Sequence, residues 1–286
     1  MALTVATNTG ALMAQAAASS VNKDMETSME RLSTGKRINS ASDDAAGVAI
    51  ASRLSAEIKG TNMAVRNAMD AQALIDTAEG AAVEVENILQ RMRELAVQSA
   101  NDTNDSTDRT NLDTEFDQLK AEINRIASVT TWAGQNLLSA TTSTGSQFNF
   151  QIGSGTSASD SVTVTIAGVG AAQLGSTANV ASVNVADIAA SAGAAQWAID
   201  SIDQALTDLN SARSDLGSYS NRMDHTVANL TGIANNLASG LSRIEDADFA
   251  AETTSLAKSQ ILQQASTAML AQANASKQNV LSLLQG

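Results

Sequence analysis

The chain has 286 residues, a formal net charge of −13, no Cys, no Pro and 2% aromatic residues. Without Cys it has no disulfides, thiolate metal sites or cysteine nucleophiles, and its acidic balance opposes nucleic-acid phosphates and anionic lipid surfaces. Close to a fifth of the residues are Ala, which packs helices closely but buries little area, so a single compact core would be weak.

Long thin helices packed side by side, drawing stability from neighbouring copies, suit that composition. Ordinary usage would give about fourteen prolines in this length, and their absence leaves long helices uninterrupted. Residues 1–10 (MALTVATNTG) lack the basic start and long apolar run of a secretory signal. No window approaches eighteen large apolar residues, so no membrane span is expected.

The first forty residues are rich in Ala, Ser, Asn and Thr, and Val21, Met25, Met29 and Leu32 form a thin helical stripe. Ser40 with Asp43 three residues on reads as a helix start, because hydroxyl and carboxylate can satisfy the free N–H groups. Ile50, Leu54 and Ile58 follow on one helical face. From Leu74 the pattern tightens: Leu74, Ala78, Ala81, Val85, Ile88, Met92 and Leu95 alternate steps of four and three, a heptad seam. Residues 101–108 (NDTNDSTD) hold no apolar group and read as a turn. Leu112, Phe116, Leu119, Ile123 and Ile126 then repeat the alternation in a shorter returning helix.

Residues 140–193 differ, being rich in Gly, Ser and Thr. Residues 148–152 (FNFQI) and 162–166 (VTVTI) alternate with period two around a Gly/Ser-rich link, which predicts a hairpin. One hairpin is marginal alone, so it is expected to lie on the helices. A longer seam follows: Ile199, Ile202, Leu206, Leu209, Leu216, Met223, Val227, Leu230, Leu237, Leu241 and Ile244 share one heptad register, with Arg213, Ser220 and Ala234 at its remaining positions. Polar seam residues of this kind fix alignment at a cost in stability. Beyond Glu245 the chain returns to Ala, Ser and Gln. Short connections make neighbouring helices antiparallel, so the expected fold is mainly α: a long antiparallel coiled-coil helical bundle with a small β-hairpin insert.

Nothing here reads as catalytic. His225 is the sole histidine, so no HExxH motif exists, and a solvated helix face accounts for it. Asp43 and Asp44, and the group Glu245, Asp246, Asp248 and Glu252, lack the spacing of a calcium loop; helix N-terminal placement explains both. The glycines around 153 and 168 complete no dinucleotide fingerprint, Gly35-Lys36 completes no P-loop, and no Ser has the G-x-S-x-G setting. No cofactor is implied. The Ser/Thr-rich insert reads as a surface loop, with glycosylation of its hydroxyls as an open alternative.

On a helical wheel Ile88, Leu89, Met92, Leu95, Ala96 and Ser99 form one arc, while Arg91, Glu94 and Gln98 form a polar stripe, with Leu95 at the arc's edge about 40° from Arg91. A large apolar group bordering charges suits protein contact, and a solvated face beside a core Leu is the plainer alternative.

Several motifs, in order, resemble bacterial flagellins: residues 30–47 (ERLSTGKRINSASDDAAG), 89–101 (LQRMRELAVQSAN), 242–249 (SRIEDADF), 260–265 (QILQQA), 270–274 (LAQAN) and 279–284 (NVLSLL). The resemblance spans about residues 1–140 and 195–286, and the segment between is too short for the outer domains of longer flagellins. It implies a secreted, extracellular filament subunit, exported unfolded and polymerised for motility, and not an enzyme. Residues 1–45 and 245–286 would form an inner terminal-helix domain that pairs on assembly, 46–140 and 195–244 the coiled-coil core, and 141–194 the insert.

Polymerisation would rest on Leu32, Ile38, Leu256, Ile261, Leu262, Leu281 and Leu284. The implied partners are other copies, an export chaperone on the C-terminal segment, and the filament cap and hook-junction proteins. The animal Toll-like receptor for flagellin would read Arg91, Leu95 and Glu115, flanked by Gln90 and Gln98. A hook–filament junction protein of the same secretion system is the alternative; a membrane-active translocator lacks its apolar helix here.

Overall fold

The computed structural model describes residues 7–139, 146–171, 174 and 192–285, without side-chain detail at 192–196 and 277–285. In chain order it contains α1 (Thr9–Thr34), α2 (Ala45–Ser99), α3 (Ser106–Val129), β1 (Thr131–Trp132), β2 (Gln135–Asn136), β3 (Ser146–Gln151), a 3-10 turn (Ala158–Asp160), β4 (Ser161–Ile166), α4 (Ala192–Glu245) and α5 (Phe249–Gln285). The chain divides into two compact units, residues 59–234 and residues 1–58 with 235–286; α2 and α4 contribute to both.

Within residues 59–234, α2 and α4 run antiparallel, as cross-links at three levels require. Gln72 Nε2 donates to Asp224 at 2.5 Å, Arg213 bridges Glu79 and Glu86, and Arg93 Nε donates to Asp203 at 2.6 Å. The α4 seam is as the sequence predicts: every register position from Ile199 to Leu230 is buried or half-buried, Arg213 and Ser220 included. On α3, Leu112, Phe116, Leu119, Ile123 and Ile126 are likewise buried or half-buried. On α2 all seven expected seam positions are buried or half-buried, and the fully buried stripe is rotated slightly from them. Its inward positions are Thr61, Ala64, Ala68, Ala71, Ile75, Ala78, Ala82, Val85, Leu89, Met92, Ala96 and Ser99, all buried and alternating steps of three and four. The expected register shares only Ala78, Val85 and Met92 with it, and Ala81 and Ile88 are half-buried. Small side chains occupy much of that stripe, and Leu74 and Leu95 are buried beside it.

The polar turn ends earlier than expected. Asp105 accepts from the amides of Thr107 and Asp108 at 2.7 and 2.8 Å, and Asp108 returns the bond to the Asp105 amide at 3.3 Å. This reciprocal cap starts α3 at Ser106. A second small hairpin, β1–β2, turns through Ala133 at φ 48° and Gly134 at φ 82°. Two-residue strands show no alternation to read, so the sequence does not reveal it. The expected hairpin forms as β3–β4, pairing Phe148 with Val164 and Phe150 with Val162. It lies on the helices: β4 buries Val162, Val164 and Ile166, and Asn67 of α2 donates to the Gln151 carbonyl at 2.8 Å.

In the other unit, α1 and α5 pack antiparallel within the one chain. Gln263 donates to Asn22 at 2.8 Å, Arg31 faces Glu252 at 3.8 Å, and Asn8 donates to the Ala273 carbonyl at 3.2 Å. The inward stripe of α1 is Ala11, Ala14, Ala18, Val21, Met25, Ser28 and Leu32; that of α5 is Glu252, Leu256, Ser259, Gln263, Ser266, Leu270 and Ala273. Ser28 therefore holds the seam position and Met29, expected inside, faces out.

Gly35, in the left-handed region at φ 72°, ends α1. Beyond it Arg37 donates its amide to the Glu245 carbonyl at 2.6 Å, and the Ala247 amide donates to the Gly35 carbonyl at 2.9 Å. The cap of α2 is Asp44, whose carboxylate accepts from the amides of Ala46 and Gly47 at 3.1 and 2.9 Å. Ser40 instead belongs to a preceding turn closed by Asp43, because a carboxylate one position before the helix reaches the first free amides better.

Candidate functional site: two interaction surfaces

The C-terminal third of α2 carries two faces. Leu89, Met92, Leu95, Ala96 and Ser99 are buried and Ile88 is half-buried, so the predicted arc is the inner face. Leu95 is 1% exposed. The wheel placed it at the border, but α2 packs against both α3 and α4, which widens its buried arc and encloses Leu95. The exposed apolar residue of this region is Val97, at 50%. It lies about 20° from Gln90 on the same wheel, a signal overlooked because Leu95 is larger.

The charges of this stretch turn to two different neighbours, with Arg91 and Glu94 remaining paired. Arg93 turns to α4 and pairs with Asp203. Arg91 turns to α3: its Nη2 lies 2.9 Å and its Nε 3.1 Å from Glu115 Oε1, and its Nη1 lies 2.9 Å from Glu94 Oε2. Hydrogen bonds that the Arg91 guanidinium donates to Glu94, then Glu115, hold it above its ordinary pKa, so it stays charged. Gln90 and Gln98 flank this cluster and are exposed. The structure thus brings together Gln90, Arg91, Glu94, Gln98 and Glu115 as a solvent-facing polar surface, with Leu95 beneath it. Between two carboxylates the guanidinium is pre-set in one geometry, which suits recognition.

The second surface is the outer side of α1 and α5. Leu12, Met13, Met29, Phe249, Ile261, Leu262 and Met269 are all exposed there, a density of large apolar groups unusual for a solvated helix pair. Of the residues expected to drive polymerisation, Ile261 and Leu262 belong to this outer side. Leu32 and Leu256 are half-buried in the α1–α5 seam, and Ile38 is buried against Gly47. Leu281 and Leu284 lie in the last turns of α5, among the residues described without side-chain detail. Asp248 accepts from the Ala250 amide at 2.9 Å at the start of α5, Asp246 from the Ser242 hydroxyl at 2.5 Å, and Glu245 pairs with Lys36 at 2.6 Å. Among the described residues no group of His, Asp and Glu could hold a metal ion, and no helix is long and apolar enough to cross a membrane.

Residues 5–143 match the bacterial flagellin N-terminal helical region, and residues 199–284 match the bacterial flagellin C-terminal helical region. The chain belongs to the bacterial flagellins. A flagellin of Halalkalibacterium halodurans is 44% identical over 257 residues, covering 90% of each chain. That of Bacillus subtilis is 41% identical over 290 residues, covering 93% of this chain and 95% of the relative. A solved structure described as a flagellar hook-associated protein from Vibrio parahaemolyticus shares the fold, with a TM-score of 0.62 at 15% identity over 71% of this chain and 100% of that one. Flagellins are structural components of the extracellular flagellar filament and not enzymes, and this flagellin is a short form, close in length to the relatives from Halalkalibacterium and Bacillus. Its family matches fall on the helices, and both candidate surfaces lie within them.

Proposed function

We propose that this flagellin is exported as an unfolded chain and polymerises into the filament through the outer side of α1 and α5. The observation that carries this is the set of large apolar residues left exposed on both helices, with Leu12, Ile261 and Leu262 among them. Alone, each helix has an inner stripe in which Ala, Ser and polar residues take most positions, so the pair buries little apolar area; neighbouring copies supply the missing contacts. Absence of disulfides and prolines suits threading through a narrow export channel. A chaperone covering the C-terminal segment before export, and capping and hook-junction proteins at the filament ends, complete the partners. The test is seeded reassembly of heat-dissociated protein in salt, followed by sedimentation and electron microscopy. Filaments are expected; their absence even with seeds refutes the reading, and discrete end-capping of seeds without growth would favour a hook–filament junction role.

A second role rests on the Arg91 cluster. In the free subunit its exposed guanidinium, held by Glu94 and Glu115, offers the animal Toll-like receptor for flagellin a rigid cationic anchor between Gln90 and Gln98. Arg91→Ala is expected to lower receptor signalling by monomer about tenfold, the ordinary weight of an Arg hot spot. Leu95→Ala acts differently, by opening a cavity under the surface and costing about 3 kcal/mol of stability. Unchanged signalling from folded Arg91→Ala protein would refute the role.

A further inference from the structure

Of the chain's nine methionines, Met25 is half-buried in the α1–α5 seam, and seven others fall into two classes. Met92 and Met223 are 0% exposed in the α2–α4 seams, where no solute reaches their sulfur. Met13, Met29 and Met269 stand out on α1 and α5, at 75%, 45% and 64% exposure, and Met63 and Met69 are exposed on α2. With no Cys anywhere in the chain, these thioethers are the first groups a two-electron oxidant meets.

We propose that Met13, Met29 and Met269 are oxidation sites that gate assembly, with peroxides as the oxidant class; the gate rests on the assembly role proposed above. In the step, a thioether sulfur attacks the terminal oxygen of a hydroperoxide. The O–O bond breaks, an S–O bond forms, and the displaced oxygen leaves as water or an alcohol after taking a proton. Sulfur gives two electrons and becomes a sulfoxide. An apolar, flexible side chain thereby becomes a polar acceptor; Met13 is next to the exposed Leu12, Met269 follows the exposed Leu262 by seven residues on α5, and Met29 is exposed further along α1. Covering that surface by another copy would then strand a polar oxygen without a hydrogen-bond partner. The core does not change, because its own methionines are enclosed. Oxidised free subunits are therefore folded and assembly-incompetent, while subunits already packed in a filament are shielded. Because sulfoxide reductases restore the thioether, the gate is reversible.

The test treats full-length monomer with hydrogen peroxide and reads each methionine by peptide mass spectrometry. Sulfoxide is expected at Met13, Met29 and Met269, with Met92 and Met223 slower by at least about tenfold, as for groups that react only on opening. Far-UV circular dichroism is expected unchanged, seeded assembly lost, and assembly regained after treatment with both methionine sulfoxide reductases. A Met13→Leu/Met29→Leu/Met269→Leu variant, which keeps Met63 and Met69, is expected to assemble before and after peroxide. Oxidised protein that assembles like untreated protein overturns the gate, as does a triple variant that loses assembly on oxidation like the parent. If untreated monomer itself fails to assemble, the assembly role falls and the gate with it.

Discussion

Arg213 stands at a seam position of α4, between Leu209 and Leu216, and its guanidinium is divided between two carboxylates of α2. One Nη lies 2.8 Å from Glu79 Oε1 and the other bonds Glu86. The three side chains are 27%, 35% and 23% exposed, and Glu79 Oε2 is buried with no partner. Arg213→Met keeps the apolar stem and deletes the charge, leaving two carboxylates facing a seam. Removing one partner from a fully buried ion pair costs about 3–5 kcal/mol; with a quarter to a third of these side chains in water, about 2 kcal/mol is expected. At a urea slope near 2 kcal/mol per molar, the unfolding midpoint falls by about 1 M.

Replacing the whole cluster, as Arg213→Met/Glu79→Met/Glu86→Met, is expected to recover most of that loss, because apolar groups of like size need no desolvation. The assay is urea unfolding of the full chain by far-UV circular dichroism. A single variant within about 0.2 M of the parent, or a triple variant as weak as the single, refutes the reasoning.

The Ala seam of α2 gives a second expectation: Ala71→Leu, at a fully buried position, overpacks and costs about 2 kcal/mol, read as a lower melting temperature. Among helix glycines, Gly80→Ala meets nothing within 4 Å and is expected to stabilise by about 0.8 kcal/mol, whereas Gly60→Ala places a methyl 2.8 Å from Ser154 Cβ and forfeits that gain by displacing the hairpin loop. Urea midpoints compare the two. The Asp43 carboxyl is held below its ordinary pKa by the amides of Ser40 and Asn39. Its contribution to the turn before α2 is therefore full above the ordinary Asp value and lost as pH falls through the lower folded one; amide exchange at Asn39 and Ser40 is expected to rise only in that acid range, and earlier rise would refute the coupling.

Legibility followed side-chain size. The α4 seam is legible residue by residue because Ile, Leu and Met recur at its register positions, and the heptad spacing marks Arg213 as its polar member. On α1 and α2 the large residues mark the buried side less sharply: every position of the expected α2 seam is buried or half-buried and only Met29 of the α1 stripe faces out, but small residues hold part of the innermost line. Ala68, Ala71 and Ala82 in α2 and Ser28 in α1 are the inward residues, yet a hydropathy pattern gives weight to Leu74, Leu95 and Met29 beside them.

The sequence by itself determined the helical class, the central hairpin, the polar α2–α3 turn and the family, since periodicity, punctuation and motif order are local properties of the chain. Only the tertiary structure decided which face of each Ala-rich helix is inside, and so which residues remain for other proteins. Leu95 went in and Val97 stayed out because α2 packs against α3 and α4 together. A small residue is compatible with either face, and how closely a neighbouring helix approaches settles which one it takes.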